Sequence, residues 1–205
     1  MCIRDRKNMS LTKDNRKVYE KLLSALYPSH PYGTQTVLGT QENLKNPSIT
    51  NVKNYHKQWY VPNNMAIALS GDFDPDQMVD TIEKYFGHLK PASNFNRPAL
   101  PKEKPFTSPQ TVEVVGPEAE YVTVAWRTPE AASKDANALS VLDYVMNNGS
   151  TGILDLNVNL PQRVLNAGAY VMDMADAGAY VMTAMPKAGQ TLDDANCLLY
   201  TSPEP

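Results

Sequence analysis

The chain has 205 residues, 42% of them hydrophobic and 20% charged, with a formal net charge of −3. That length suits one large or two small globular domains, and the supply of large apolar residues argues against wholesale disorder. Nineteen basic and 22 acidic side chains give no extended positive field, so a nucleic-acid partner is not expected. No apolar run approaches the roughly 20 residues of a membrane-spanning helix, and the N-terminus lacks a charged-then-apolar signal pattern.

The two cysteines, Cys2 and Cys197, fall in the end segments. "MCIRDR" and "CLLYTSP" resemble translated adapter ends, so residues 1–6 and 197–205 are expected to be non-native and the rest an internal piece of a longer protein. Between them, an amphipathic helix is predicted from about Thr12 to Tyr27, with Val18, Tyr19, Leu22, Leu23 and Leu26 on one face and a stop before Pro28. The loop "PSHPYGTQTVLGTQENLKNPS" breaks any regular period. A short helix is expected to start at Thr50 and to carry Val52, Tyr55 and Trp59 inward. "NMAIALSGD", residues 64–72, reads as a buried strand. Asp74 then caps a helix with Pro75 at its first position, burying Met78, Val79, Ile82, Tyr85, Phe86 and Leu89 and ending near Gly87 in a left-handed turn.

Pro91, Pro98, Pro101, Pro105 and Pro109 mark residues 91–109 as a linker. "TVEVV" and "YVTVAWR" read as two strands. A helix from about Asp135 to Met146 is expected to bury Leu139, Leu142, Val145 and Met146, and a further helical stretch spans about Gly152 to Asn166, interrupted at Pro161. The hexapeptide "AGAYVM" occurs at 167–172 and again at 177–182, which suggests a hairpin turning at "ADAG". Thr191 with Asp194 forms a capping-box variant opening a last helix that the tail segment is expected to cut short.

Little chemistry is visible in the residues themselves. His30, His56 and His88 are too widely spaced for a local metal motif and read as structural or solvent-facing. No C-x-x-C pair, phosphate loop or nucleophile elbow is present. "GDFDPDQ" lacks the glycine and distal glutamate of a calcium loop, and capping accounts for Asp74 and Asp76.

The order of motifs in residues 30–91 is more specific. H-P-Y-G, a G-T pair, an I-T helix ending Y-x-P-N-N, an apolar segment, G-D-F-D-P and a helix ending Y-F together resemble the pitrilysin/insulinase family of zinc metallopeptidases, which includes the mitochondrial processing peptidases. The likeness continues more loosely to about Asn196. It implies an α+β fold of antiparallel sheets flanked by helices, in parts of two homologous clamshell domains. Residues 7–90 would be the C-terminal part of the first, 91–109 the linker and 110–196 the N-terminal part of the second.

The resemblance implies a fragment, itself inactive, of a bacterial zinc-dependent metalloendopeptidase that hydrolyses peptides or unfolded polypeptides in a closed chamber. The alternative is a non-catalytic, substrate-binding family member that completes the chamber of an active partner. Expected partners are thus a peptide substrate and the remaining domains of the parent or a homologous subunit. Zinc is implied for the intact parent and not for this piece. The family's H-x-x-E-H helix is absent, and its third ligand, a glutamate, would fall at Arg6, which cannot ligate zinc as a carboxylate does. One second-domain feature carries over: an arginine and a tyrosine seven residues apart that reach the bound peptide, here Arg163 and Tyr170 in "RVLNAGAY", although "LPQRVLNAG" departs from the usual L-R-E-x-x-G.

Overall fold

A computed structural model of the chain describes residues 3–201. The helices are α1 (Ile3–Leu11), α2 (Asp14–Leu26), α3 (Pro31–Thr34), α4 (Gln41–Lys45), α5 (Ile49–Trp59), α6 (Pro75–Phe86), α7 (Ala136–Met146) and α8 (Leu192–Thr201). A 3-10 turn spans Pro62–Asn64 and a π-helix spans Asp155–Asn159. Three strands, β1 (Val122–Thr128), β2 (Asn166–Asp173) and β3 (Gly178–Met185), form an antiparallel sheet in the order β1-β3-β2. The fold class is α+β, as the sequence implies.

Contacts divide the described residues into two compact units, residues 3–9 with 35–102, and residues 10–34 with 103–201. α2 falls in the second unit because it packs on the sheet there.

In the first unit, α6 starts as predicted: Asp74 accepts a hydrogen bond from the Gln77 N–H at 3.0 Å, with Pro75 following. Three expectations here need correction. The α5 cap is Ser48, whose hydroxyl accepts from the Asn51 N–H, and not Thr50, which already lies inside the helix. Gly87 is right-handed (φ −60°), so no left-handed turn accounts for it; a Cβ there would instead crowd Glu83. Residues 64–72 form no strand, and Met65, Ile67 and Leu69 are about half exposed. An isolated apolar run becomes a strand only by pairing, and among the described residues none pairs with it. For the same want of a neighbour, the predicted inward faces of α5 and α6 stay largely open: Val52, Tyr55, Val79 and Tyr85 are exposed, and only Trp59, Met78 and Ile82 are half-buried.

The second unit carries the core, and its two layers follow from the period-two alternation of the strands. On one face Ala167, Ala169, Tyr180, Met182 and Ala184 meet Met146 of α7, Leu154 and Val158 around the π-helix, and Ala195 and Leu199 of α8. On the other, Ala179 and Val181 meet Leu23, Leu26 and Tyr27 at the end of α2. The repeated hexapeptide forms the β2–β3 hairpin. The hairpin register places equivalent residues of the repeat on opposite faces, pairing Tyr170 with Val181 and Tyr180 with Val171.

Elsewhere the second unit departs from the sequence reading. "TVEVV" forms no strand. Of the α7 residues expected inside, only Met146 is buried. The stretch after Gly152 is helical only up to the expected break at Pro161, as a π-helical segment that contains the buried Asp155, and it does not resume before β2. The last helix is not cut short: the Thr191–Asp194 capping box forms reciprocally and α8 runs on to Thr201, because Leu198 and Leu199 continue the apolar stripe begun by Ala195. Ile3–Arg6 lie in α1. Residues 1, 2 and 202–205 of the two end segments lie outside the described residues.

The linker is held where it enters the second unit. Glu103 accepts from the Ser29 and His30 N–H groups at 2.6 and 2.8 Å. Arg127 donates to the carbonyls of Leu26 and Lys104, and its guanidinium lies 3.9 Å from the Phe106 ring centre. Further on, the Asp14 carboxylate accepts from Lys17 and from the Glu118 N–H, and these bonds hold it below the usual carboxylate range. Residues 103–118 are therefore clamped first at the C-terminal end of α2 and then at its N-terminal end.

Candidate functional site

The H-P-Y-G motif is an architectural corner. His30 is buried, its Nδ1 accepts from the Tyr32 N–H at 3.2 Å, and its ring lies 4.4 Å from that of Tyr32. Tyr32 donates to Asp176 in the hairpin turn, and Tyr27 donates to the Gly178 carbonyl. Gly33 has no room for a side chain: a Cβ would overlap the Tyr27 carbonyl and stand 2.6 Å from the Leu23 carbonyl oxygen. Residues 27–33 thus fasten α2 to the hairpin.

These residues do not fit a zinc ion. His30 uses its Nδ1 on the Tyr32 N–H while its Nε2 is buried, and His56 stacks on Tyr60 along exposed α5. Among the described residues no three His, Cys, Asp or Glu side chains are grouped to hold a metal.

Arg163 and Tyr170 are not brought together. Arg163 follows Gln162, whose left-handed backbone (φ 52°) closes the π-helical segment. The Arg163 N–H donates to Val158, its carbonyl accepts from Gln190, and its exposed side chain lines an open depression of about 610 Å³ with Gln190, Asp194, Cys197 and Leu198. That is the α8 side of the sheet. Tyr170 lies between Ala169 and Val171, which point to the α7–α8 core, so it occupies the face that α2 covers. It is 44% exposed, and partial burial followed by the nearby Tyr19 raises its phenol above the usual value.

The loop before Arg163 is organised by a residue that the sequence reading did not single out. Asp155 Oδ2 accepts from the N–H groups of Asn148, Ser150 and Gly152 at 3.0, 3.1 and 3.2 Å. Burial pushes its carboxyl up, but these bonds and one from Asn159 outweigh it and hold the group below its ordinary range. Asn159 in turn bonds both the N–H and the carbonyl of Ala167, tying the π-helix to β2. The signal was an aspartate just after "NNGSTG", a loop with many N–H groups to satisfy.

Residues 48–196 match the model of the peptidase M16 inactive domain. The chain belongs to this family. The zinc protease PqqE of Helicobacter pylori is 24% identical over 174 residues, covering 82% of this M16 chain and 38% of the relative. The probable mitochondrial-processing peptidase subunit beta of Schizosaccharomyces pombe is 34% identical over 76 residues, covering 37% of this chain and 16% of the relative. Among solved structures, a protease from Helicobacter pylori superposes with a TM-score of 0.72 at 20% identity, covering 98% of this chain and 48% of that one. Pitrilysin gives 0.64 at 18% identity, covering 91% and 21%. The M16 chain thus spans less than half the length of each of these relatives, and no helix among its described residues is long and apolar enough to cross a membrane.

Proposed function

We propose that this chain is the non-catalytic, substrate-contacting portion of a bacterial zinc-dependent endopeptidase that encloses peptides or unfolded polypeptides in a chamber. The observation that carries this reading is the match of residues 48–196 to the inactive domain of a family whose similar members are named zinc proteases. On this reading residues 7–90 belong to a first family domain, 91–109 link, 110–196 open a second, and the end segments 1–6 and 197–205 are non-native. Zinc, which would activate the attacking water, is held by an H-x-x-E-H helix elsewhere in the parent or in a homologous subunit.

Tyr170 presents a half-exposed phenol to bound peptide, and Arg163, on the α8 side, is tested separately. In the full-length parent, Tyr170→Phe should lower turnover on the order of a hundredfold without loss of zinc, the cost of removing one aimed donor. Arg163→Ala should lower turnover by at least tenfold if its side chain reaches the substrate. Wild-type turnover in either variant removes that residue from the site. A parent that lacks H-x-x-E-H and binds peptide without cleaving it would identify the chain as part of a non-catalytic subunit.

A further inference from the structure

The sequence has one Asn–Gly pair, Asn148–Gly149, and it lies in the loop that Asp155 organises. An asparagine amide is most open to attack by the backbone nitrogen that follows it when that nitrogen belongs to glycine, which has no side chain to shield it and turns freely. Gly149 and Ser150 are exposed, and a Cβ built on Gly149 meets nothing within 4 Å. The Gly149 backbone is left-handed, with φ 78°.

The Asn148 side chain folds back over the peptide that would attack it. Its Oδ1 accepts from the Ser150 and Thr151 N–H groups at 3.1 and 2.8 Å, which holds its amide carbon against the intervening Gly149 unit. These two donors also draw charge toward Oδ1, where negative charge collects as a nucleophile adds to the amide carbon. Its Nδ2, the leaving nitrogen, donates to the Tyr144 carbonyl at 3.1 Å and to the Thr151 hydroxyl at 3.3 Å. Asn147 lacks this arrangement: its Nδ2 donates to the Ala169 carbonyl of β2, and a residue with a side chain follows it.

We infer that Asn148 is a self-modification site, at which the Gly149 nitrogen displaces ammonia and water then converts the residue to aspartate and isoaspartate. Hydroxide removes the Gly149 amide proton, and the Gly149 nitrogen forms a bond to Asn148 Cγ. The Cγ–Nδ2 bond breaks, and Nδ2 takes a proton from water and leaves as ammonia. A second water opens the resulting imide ring. Cleavage of the Cγ–N bond gives aspartate, and cleavage of the bond from the Asn148 main-chain carbonyl carbon to the same nitrogen gives isoaspartate.

Both products disturb the loop. Asp155 Oδ2 gathers the N–H groups of residues 148, 150 and 152. Aspartate at 148 sets a second carboxylate beside that one, and like charges in one loop repel. Isoaspartate inserts a backbone carbon between the donors of residues 148 and 150, so that both no longer reach one oxygen. The turn from α7 into the π-helix therefore loosens.

The test is incubation of the purified chain at mildly alkaline pH, with peptide mapping by mass spectrometry, isoaspartate detection and ammonia release. Asn148 is expected to convert before every other asparagine, faster as pH rises. Gly149→Ala should slow the conversion about tenfold by hindering the attacking nitrogen. Asn148→Gln, whose longer arm cannot close the same ring, should stay intact, and it serves if the alanine variant does not fold. Urea titration at neutral pH, read by Trp126 on a Trp59→Phe background, should give Asn148→Asp a lower midpoint than wild type. That loss should shrink by at least half when Asp155→Asn removes the facing charge. Earlier conversion at another asparagine, or an Asn148 that stays intact, overturns the site. An Asn148→Asp midpoint equal to wild type, or a loss unchanged by Asp155→Asn, overturns its coupling to the loop.

Discussion

Replacing Asp155 by alanine should destabilise the second unit by roughly 2–4 kcal/mol. The carboxylate satisfies three backbone N–H groups, and the bond to Gly152 is fully buried while those to Asn148 and Ser150 are partly so. Leaving one buried donor unpaired costs about 1–3 kcal/mol, and two donors that water reaches in part add up to about 1 kcal/mol together. Asp155→Asn keeps a carbonyl oxygen for all three N–H groups and gives up only charge assistance and the 3.5 Å contact with Asn159, so it should cost about 1 kcal/mol. Urea titration on a Trp59→Phe background makes Trp126, on β1, the reporter of this unit. Midpoints for Asp155→Ala within about 0.5 kcal/mol of wild type, or equal costs for the two variants, would refute the reasoning.

The same carboxylate sets a pH dependence. Its native pKa lies below the unfolded value, so its contribution is complete above the ordinary carboxylate range and is lost as pH falls through the lowered native value. The stability gap between wild type and Asp155→Asn should be flat from pH 7 to about 5 and shrink below about 4; a gap that grows on acidification would contradict the hydrogen-bond assignment. Gly33→Ala should cost about 3 kcal/mol in the same titration, because the new methyl would meet backbone carbonyls that cannot move aside; a silent change would show the corner to be loose. Limited subtilisin digestion should cut first between residues 98 and 102, since Ala92 and Arg97 are bonded to Asn63 and Asn64 and residues 103–106 are held by Glu103 and Arg127. Early cuts inside 103–106 would show those clamps to be open.

What could be read from the sequence was what is decided locally. The capping of α6 by Asp74, the Thr191–Asp194 box and the β2–β3 hairpin each depend on residues within about ten positions of one another, and all three form. Features that need a distant partner were misread or missed. Residues 64–72 have the composition of a strand but find no pairing strand among the described residues, and "TVEVV" forms no strand either. The helix 12–27 was legible as a helix, while its attachment to the sheet depends on Tyr27, Tyr32 and Arg127 meeting residues about a hundred or more positions away. Arg163 and Tyr170 have the spacing of a pair, but seven positions across the start of a strand put them on opposite sides of the sheet.

The most direct measurement is zinc content together with quenched-peptide turnover on the purified chain after dialysis, with the full-length parent alongside. The parent should hold stoichiometric zinc and cleave in a chelator-sensitive way, while the chain should hold none and not cleave. Chelator-sensitive turnover by the isolated chain, or a zinc-loaded parent that cleaves no peptide, would contradict its place as the non-catalytic portion of a zinc endopeptidase.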